Sequence, residues 1–119
     1  MKKFVFIILM TGGMGNSFAA SIEQYVNAVH KIRESYAQDL RGFLRSLDPQ
    51  LTQFSPEQQA KYCGINQRYI QDMSGAIEQN RSSLPPQYAG MTRQDLIKQV
   101  VESKEMQMLA KYNVQCDFK

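Results

Sequence analysis

Apolar residues recur at steps of three and four along three separate segments of this chain, and this spacing constrains the fold more than any other feature. In the first segment these steps place the apolar side chains on one stripe of a helix. The stripe consists of Ile22, Tyr25, Val29, Ile32, Tyr36, Leu40, Phe43 and Leu47. No alternating run of apolar and polar residues is long enough to compete as a strand. The sequence therefore predicts an all-α fold.

Capping signals set the bounds of the first two helices. The first helix is predicted to begin at Ser21, which forms the S-x-x-Q capping pattern with Gln24, and to end at Asp48, before a proline. The second begins after Ser55, which a proline follows at the first helical position, and fades near Asn80. Its wider stripe, typical of a helix with two neighbours, consists of Ala60, Tyr62, Cys63, Ile65, Tyr69, Ile70, Met73, Ala76 and Ile77.

A third helix is predicted from Thr92, which resembles a capping box with Asp95. Met91, before the cap, is placed to pack on Leu96 as a hydrophobic staple. The apolar face, interrupted by Lys104, consists of Leu96, Ile97, Val100, Val101, Met108, Leu109 and Tyr112. Asn113 then suits a left-handed stop.

The first twenty residues have the order of an export signal: two lysines, an apolar run at 4–10, a Gly-rich stretch and small residues at the cleavage site. The alternative is a membrane anchor, which needs about 20 apolar residues. The uninterrupted run here has seven. We therefore expect a signal peptide at 1–19, cleaved after Ala19. The mature domain, 20–119, is expected in the periplasm without stable membrane insertion.

The two cysteines, Cys63 and Cys116, support a particular arrangement of the helices. If the helices run up, down and up, Cys63 lies about 26 Å above the lower end of the second helix and Tyr112 about 30 Å above the start of the third. Both cysteines then lie at about the same height along the axis of the bundle. An even cysteine count in an exported chain favours a disulfide, and a redox-active pair would need closer spacing such as C-x-x-C. The sequence predicts an up-down-up three-helix bundle with one structural disulfide.

The charges of the mature domain are balanced and scattered. The full chain carries a formal net charge of +3, but loss of Lys2 and Lys3 leaves twelve basic residues against eleven acidic ones. A nucleic-acid surface needs clustered positive charge. We therefore expect no nucleic-acid partner.

Residues suited to catalysis or cofactor binding are sparse in the mature domain. The single histidine, His30, is a candidate general base, and with Met73 or Met108 it is a candidate haem ligand. Methionine on an apolar helical stripe is more often a core residue. The domain lacks a G-x-S-x-G turn and a C-x-x-C-H haem motif. We expect neither an enzyme nor a resident cofactor or metal.

The segment between the second and third helices is the best candidate for a partner-binding surface. It carries Leu84, Tyr88 and Met91, and it is stiffened by Pro85 and Pro86. Prolines lower the entropy cost of holding a binding shape, and tyrosine is enriched at interfaces. The alternative is that this segment only covers the lower end of the bundle.

Two other places are relevant to binding. The link at 51–54 is expected to cover the opposite end of the bundle. The long first helix can outreach its neighbours and expose Tyr25 or Phe43, which would leave an apolar surface for a partner or a homodimer.

The function predicted from these features is that of an exported, non-enzymatic envelope protein that acts by protein–protein contact. An accessory factor of a secretion or conjugation machine and a toxin-immunity protein are the two kinds considered. A periplasmic stress chaperone is the alternative, and a small helical enzyme or electron carrier is a more distant one.

Overall fold

The computed structural model describes the backbone of residues 2–119 and the side chains from residue 22 onward. The helices are numbered α1 (Lys2–Arg45), α2 (Pro56–Asn80), α3 (Pro86–Ala89), α4 (Arg93–Val101) and α5 (Lys104–Leu109). Two 3-10 turns, Arg81–Ser83 and Ala110–Tyr112, follow α2 and α5. No strand occurs among these described residues, so the all-α prediction is confirmed.

Helix α1 does not begin at Ser21, as the capping pattern predicted, but runs unbroken from residue 2. A capping box forms only where the chain enters a helix from an extended conformation, and Ala19-Ala20 offers no reason to interrupt one. The signal peptide predicted at 1–19 lies outside the residues whose side chains are described. Within the described part of the chain, no helix has the length and apolar character needed to cross a membrane.

The other predicted caps are confirmed. The Gln58 amide donates to Ser55 Oγ at 3.1 Å and the Ser55 amide donates to Gln58 Oε1 at 2.8 Å, which completes a capping box at the start of α2. Thr92 and Asp95 form the same reciprocal pair at the start of α4. Asn113 has a left-handed φ of 68°, as expected of a stop residue.

The third predicted helix is broken between α4 and α5, so one long helix was the wrong prediction. The Ser103 hydroxyl donates to the Val100 carbonyl at 2.7 Å and accepts from the Met106 amide at 3.2 Å, which ends one helix and caps the next. The break changes the helical phase. After the break, Met106 is buried and Met108, predicted on the apolar face, is 59% exposed. Val101, also predicted on that face, ends α4 before the break and is 45% exposed.

Aromatic contacts show that α1 and α2 are antiparallel. Tyr36 lies 4.7 Å from Tyr69 between ring centroids, and Phe43, two turns later on α1, lies 5.9 Å from Tyr62, two turns earlier on α2. Helix α4 packs on α2. The predicted α1 stripe is buried or half-buried along its whole length.

Phe43 belongs to the core and is 2% exposed, so the expectation that it could be exposed on α1 is wrong. The reason is the link between α1 and α2, which places Phe54 over it at a centroid distance of 5.6 Å. The Phe54 amide also donates to the Tyr112 carbonyl at 3.4 Å. The link between α1 and α2 therefore contacts both Phe43 on α1 and the 3-10 turn that follows α5.

The predicted disulfide between Cys63 and Cys116 is present, with the two Cα atoms 5.5 Å apart. Hydrogen bonds hold the rest of the C-terminal segment against α2. The Lys119 amide donates to Gln67 Oε1 at 3.0 Å, and Gln67 Nε2 donates to the Lys119 carbonyl at 3.1 Å. The chain end is thus fixed to the middle of α2.

Candidate functional site

The segment from Leu84 to Met91, predicted as a stiff loop, contains a turn of helix. Pro85 precedes α3, and its carbonyl accepts hydrogen bonds from the Tyr88 and Ala89 amides at 2.9 and 2.8 Å. Two successive prolines fix the backbone angles needed for this turn and lack amide donors that would need partners there. The Arg81 guanidinium donates to the Ala89 carbonyl and pairs with Glu78. The segment is therefore an ordered part of the fold.

This segment forms one wall of a cleft of about 420 Å³, which we call the 84–91 cleft. The opposite wall is the part of α1 that begins at Ile22, and α2 and α4 contribute the floor. The lining residues are Ile22, Tyr25, Val26, Val29, Arg33, Tyr69, Met73, Leu84, Pro85, Tyr88, Met91, Leu96 and Gln99. Its volume lies within the range of small-molecule and anchor-residue pockets.

Burial differs sharply from the floor to the mouth of the cleft. Leu96 and Met73 are 1% and 6% exposed, whereas Val26 and Tyr88 are 56% and 44% exposed. An exposed valine and tyrosine above an apolar floor form a surface that gains free energy when another apolar group covers it.

The structure places the five predicted partner-binding residues in different settings. Leu84 is 9% exposed and joins the core, as a covering residue would. Pro85, Tyr88 and Met91 line the cleft, and Pro86 is exposed without lining it. The segment therefore both closes the lower end of the fold and presents a surface.

The α1 wall of the cleft was only partly foreseen. Tyr25, which was placed on the apolar stripe and named with Phe43 as a residue that α1 could expose, is half-buried at the cleft. Val26 and Arg33 were not predicted to belong to a site. Val26 lies one residue off the apolar stripe, four residues after Ile22, and this position beside a stripe was the available signal. Arg33 gave no signal beyond being one of several scattered cations.

Electrostatics in the cleft centre on tyrosines and one arginine. Burial raises the pKa of the Tyr25 hydroxyl, Tyr88 and Tyr69 add to the rise, and the Arg33 charge opposes it. The Tyr25 hydroxyl therefore remains a neutral donor at physiological pH. Arg33 is the single ionised side chain among the lining residues.

A buried polar contact lies beside the cleft, between α1 and α2. The Tyr36 hydroxyl donates to Asn66 Oδ1 at 2.8 Å, and Asn66 is 1% exposed. Burial raises the pKa of Tyr36 well above its ordinary value, with further contributions from Glu105, Tyr62 and Tyr69. Burial also raises the pKa of Tyr62. This contact has the character of a structural hydrogen bond between neutral groups.

The sequence candidates for catalysis and haem ligation lie in separate environments. His30 is exposed on α1, with its ring nitrogen 3.8 Å from a Glu34 carboxylate oxygen. Met73 lies in the cleft floor and Met108 is exposed on α5. Within the part of the chain that the structure describes, no group of three or more metal-ligating side chains comes together.

A second groove lies between α1 and α2. It has a volume of about 620 Å³ and is lined by Gln38, Asp39, Gly42, Phe43, Lys61, Gly64, Ile65 and Arg68. Arg68 lies 3.9 Å from carboxylate oxygens of both Asp39 and Asp72. Arg68 is therefore paired with acidic side chains, and this groove is shallower and more open to solvent than the 84–91 cleft.

Comparison of the chain with protein-family models, with curated proteins and with solved structures finds no match. The residues and geometry of the 84–91 cleft are therefore the basis for a functional proposal.

Proposed function

We propose that the chain is an exported, non-enzymatic envelope protein that acts by contacting another protein through the mouth of the 84–91 cleft. The observation that carries this proposal is the pair Val26 and Tyr88, both substantially exposed above an apolar floor. Interfaces of this kind place an aromatic residue at the centre of an apolar patch.

The export part of the proposal rests on the sequence and the disulfide together. A signal peptide at 1–19 would deliver residues 20–119 to the periplasm, where a Cys63–Cys116 bridge is stable. In the mature domain, α1, α2 and the α4–α5 pair form an up-down-up three-helix bundle whose third member is broken at Ser103. This arrangement fixes the α1 wall of the cleft against its 84–91 wall.

Because α3 is ordered, the 84–91 segment is better suited to bind a partner than to act as a flexible cover for the end of the bundle. Its proline-initiated turn is hydrogen-bonded and held by Arg81, so little conformational entropy remains to be lost when a partner binds. An accessory factor of a secretion or conjugation machine and an immunity protein that plugs a toxin would both use such a rigid surface.

Site-specific photo-crosslinking in cells that express the protein natively tests the proposal. A photo-reactive benzoylphenylalanine is placed at Tyr88, and a matched one at Met108, which is 59% exposed on α5 and does not line the cleft. We expect a discrete adduct from position 88 that is absent from position 108.

Each other outcome has a distinct meaning. An adduct of twice the chain mass identifies self-association through the same surface. A ladder of many unrelated proteins favours the stress chaperone. Equal adducts from both positions, or none from position 88, contradict the proposed contact.

A further inference from the structure

We propose that the interior of the 84–91 cleft binds a fatty acid, with the acyl chain on the apolar floor and the carboxylate at Arg33. This inference concerns the inside of the cleft and does not depend on the protein contact proposed at its mouth. It rests on the volume of the cleft, its apolar floor and the charge of Arg33.

The cleft has an apolar floor and a small number of polar groups on its walls. On α1 the lining begins with the apolar Ile22 and ends with Arg33, eleven residues later, which corresponds to about 16 Å. Tyr69 on α2 and Gln99 on α4 also line the neighbouring pocket around Tyr36, beyond the Arg33 end. The Tyr25 hydroxyl interacts electrostatically with Arg33, Tyr88 and Tyr69, so the hydroxyl groups of the cleft lie near its one cation.

The shape suits one acyl chain better than a bulky ligand. An extended chain of about twelve carbons advances about 1.25 Å per bond and spans about 14 Å, so with its carboxylate oxygens it approaches the length of the α1 wall. The cleft volume of about 420 Å³ accommodates such a chain and a carboxylate. The buried side chains of Met73, Leu84 and Leu96 supply an apolar floor, and methionine adapts readily to a flexible chain.

The positive charge of Arg33 favours a ligand with an anionic head group. Among the residues whose side chains are described, no carboxylate forms an ion pair with Arg33. A guanidinium binds a carboxylate through two parallel hydrogen bonds. The tyrosine and glutamine side chains that line the cleft can donate further hydrogen bonds to it.

Calorimetric titration tests the proposal with three probes, each below its critical micelle concentration, and protein purified after expression of the full chain. The probes are laurate, octanoate and dodecyltrimethylammonium, which keeps the laurate chain length but reverses the head-group charge. We expect laurate to bind more tightly than octanoate, by about fourfold for each additional buried methylene, and dodecyltrimethylammonium to bind more weakly than laurate.

Two charge variants and one spectroscopic readout locate the site. Arg33→Gln should weaken laurate binding by about fivefold or more and should tighten binding of the cationic probe, because the repulsion between like charges is removed. Lys31→Gln removes an exposed cation two residues away, outside the cleft, and should change nothing. In methyl NMR spectra, laurate should shift the Met73 and Met91 signals and leave the Met108 signal in place.

The proposal is overturned if laurate does not bind, if the two charge variants behave alike, or if the Met108 methyl shifts with the others. A laurate-binding protein that gives no adduct from position 88 keeps this inference and removes the protein contact. An adduct from position 88 in a protein that does not bind laurate removes the fatty-acid inference and keeps the protein contact.

Discussion

The Tyr36 hydroxyl on α1 donates a 2.8 Å hydrogen bond to Oδ1 of Asn66 on α2, and this bond joins the two long helices in the interior. The Asn66 amide nitrogen donates to the Tyr62 carbonyl at 3.1 Å, so both ends of the buried amide group have partners. A buried polar side chain is tolerated in a core when its groups are satisfied in this way.

Removal of the Tyr36 hydroxyl should therefore be costly. Tyr36→Phe leaves Asn66 Oδ1 buried without its donor, and we expect the free energy of unfolding to fall by about 1–3 kcal/mol. Tyr69→Phe is the matched control, because Tyr69 stacks on Tyr36 but its hydroxyl bonds to no other described residue. Urea denaturation followed by circular dichroism measures both. Equal losses in the two variants would show that the bond contributes nothing specific.

Stability should also depend on pH in the alkaline range. Burial is the main cause that raises the pKa of Tyr36 above its ordinary value of 10.0, and Tyr62 is shifted in the same direction. The folded protein therefore holds protons that the unfolded chain releases, so the free energy of unfolding falls as pH rises above about 10. Below about pH 10 both hydroxyls are protonated in the folded and the unfolded chain, so they do not make the free energy of unfolding depend on pH. Urea unfolding at several alkaline pH values should give a shallower fall for Tyr36→Phe, and an identical fall would contradict the assignment.

Loss of the disulfide should remove a large share of the stability. Cys63 and Cys116 are 53 residues apart in the chain, and closing a loop of this length is worth about 4 kcal/mol in the chain-entropy model. We expect the double variant Cys63→Ala/Cys116→Ala to lose about that amount in urea denaturation. The wild-type protein measured in reductant is the control and should lose a similar amount. A double variant within about 1 kcal/mol of the oxidised protein would contradict a stabilising bridge.

The sequence predicted best those features that depend on local chemistry. The caps at Ser55 and Thr92 and the stop at Asn113 depend on neighbouring residues alone, and all three are present. The bridge was expected from the even cysteine count and is present, although the unbroken third helix used to estimate the height of Cys116 is not. The break at Ser103 was missed because its hydroxyl acts as a cap only when the chain has already turned there.

The cleft was harder to predict because its walls come from distant parts of the chain. Tyr88 was singled out from composition, but its neighbour Val26 lies 62 positions earlier and off the α1 stripe. No local pattern pairs the two. Helix packing brings them to one mouth, and packing is set by the whole core.

The most direct test of the central claim is the crosslink yield from position 88 in cells that carry a second substitution on α1. Val26→Asp puts a charge at the cleft mouth, whereas Leu44→Asp changes a similarly exposed apolar residue on the same helix outside the cleft. We expect Val26→Asp to lower the adduct yield by about tenfold, because a desolvated charge at an interface costs more than 1.4 kcal/mol. Leu44→Asp should leave the yield unchanged. Equal yields in the two variants would contradict the cleft as the contact surface.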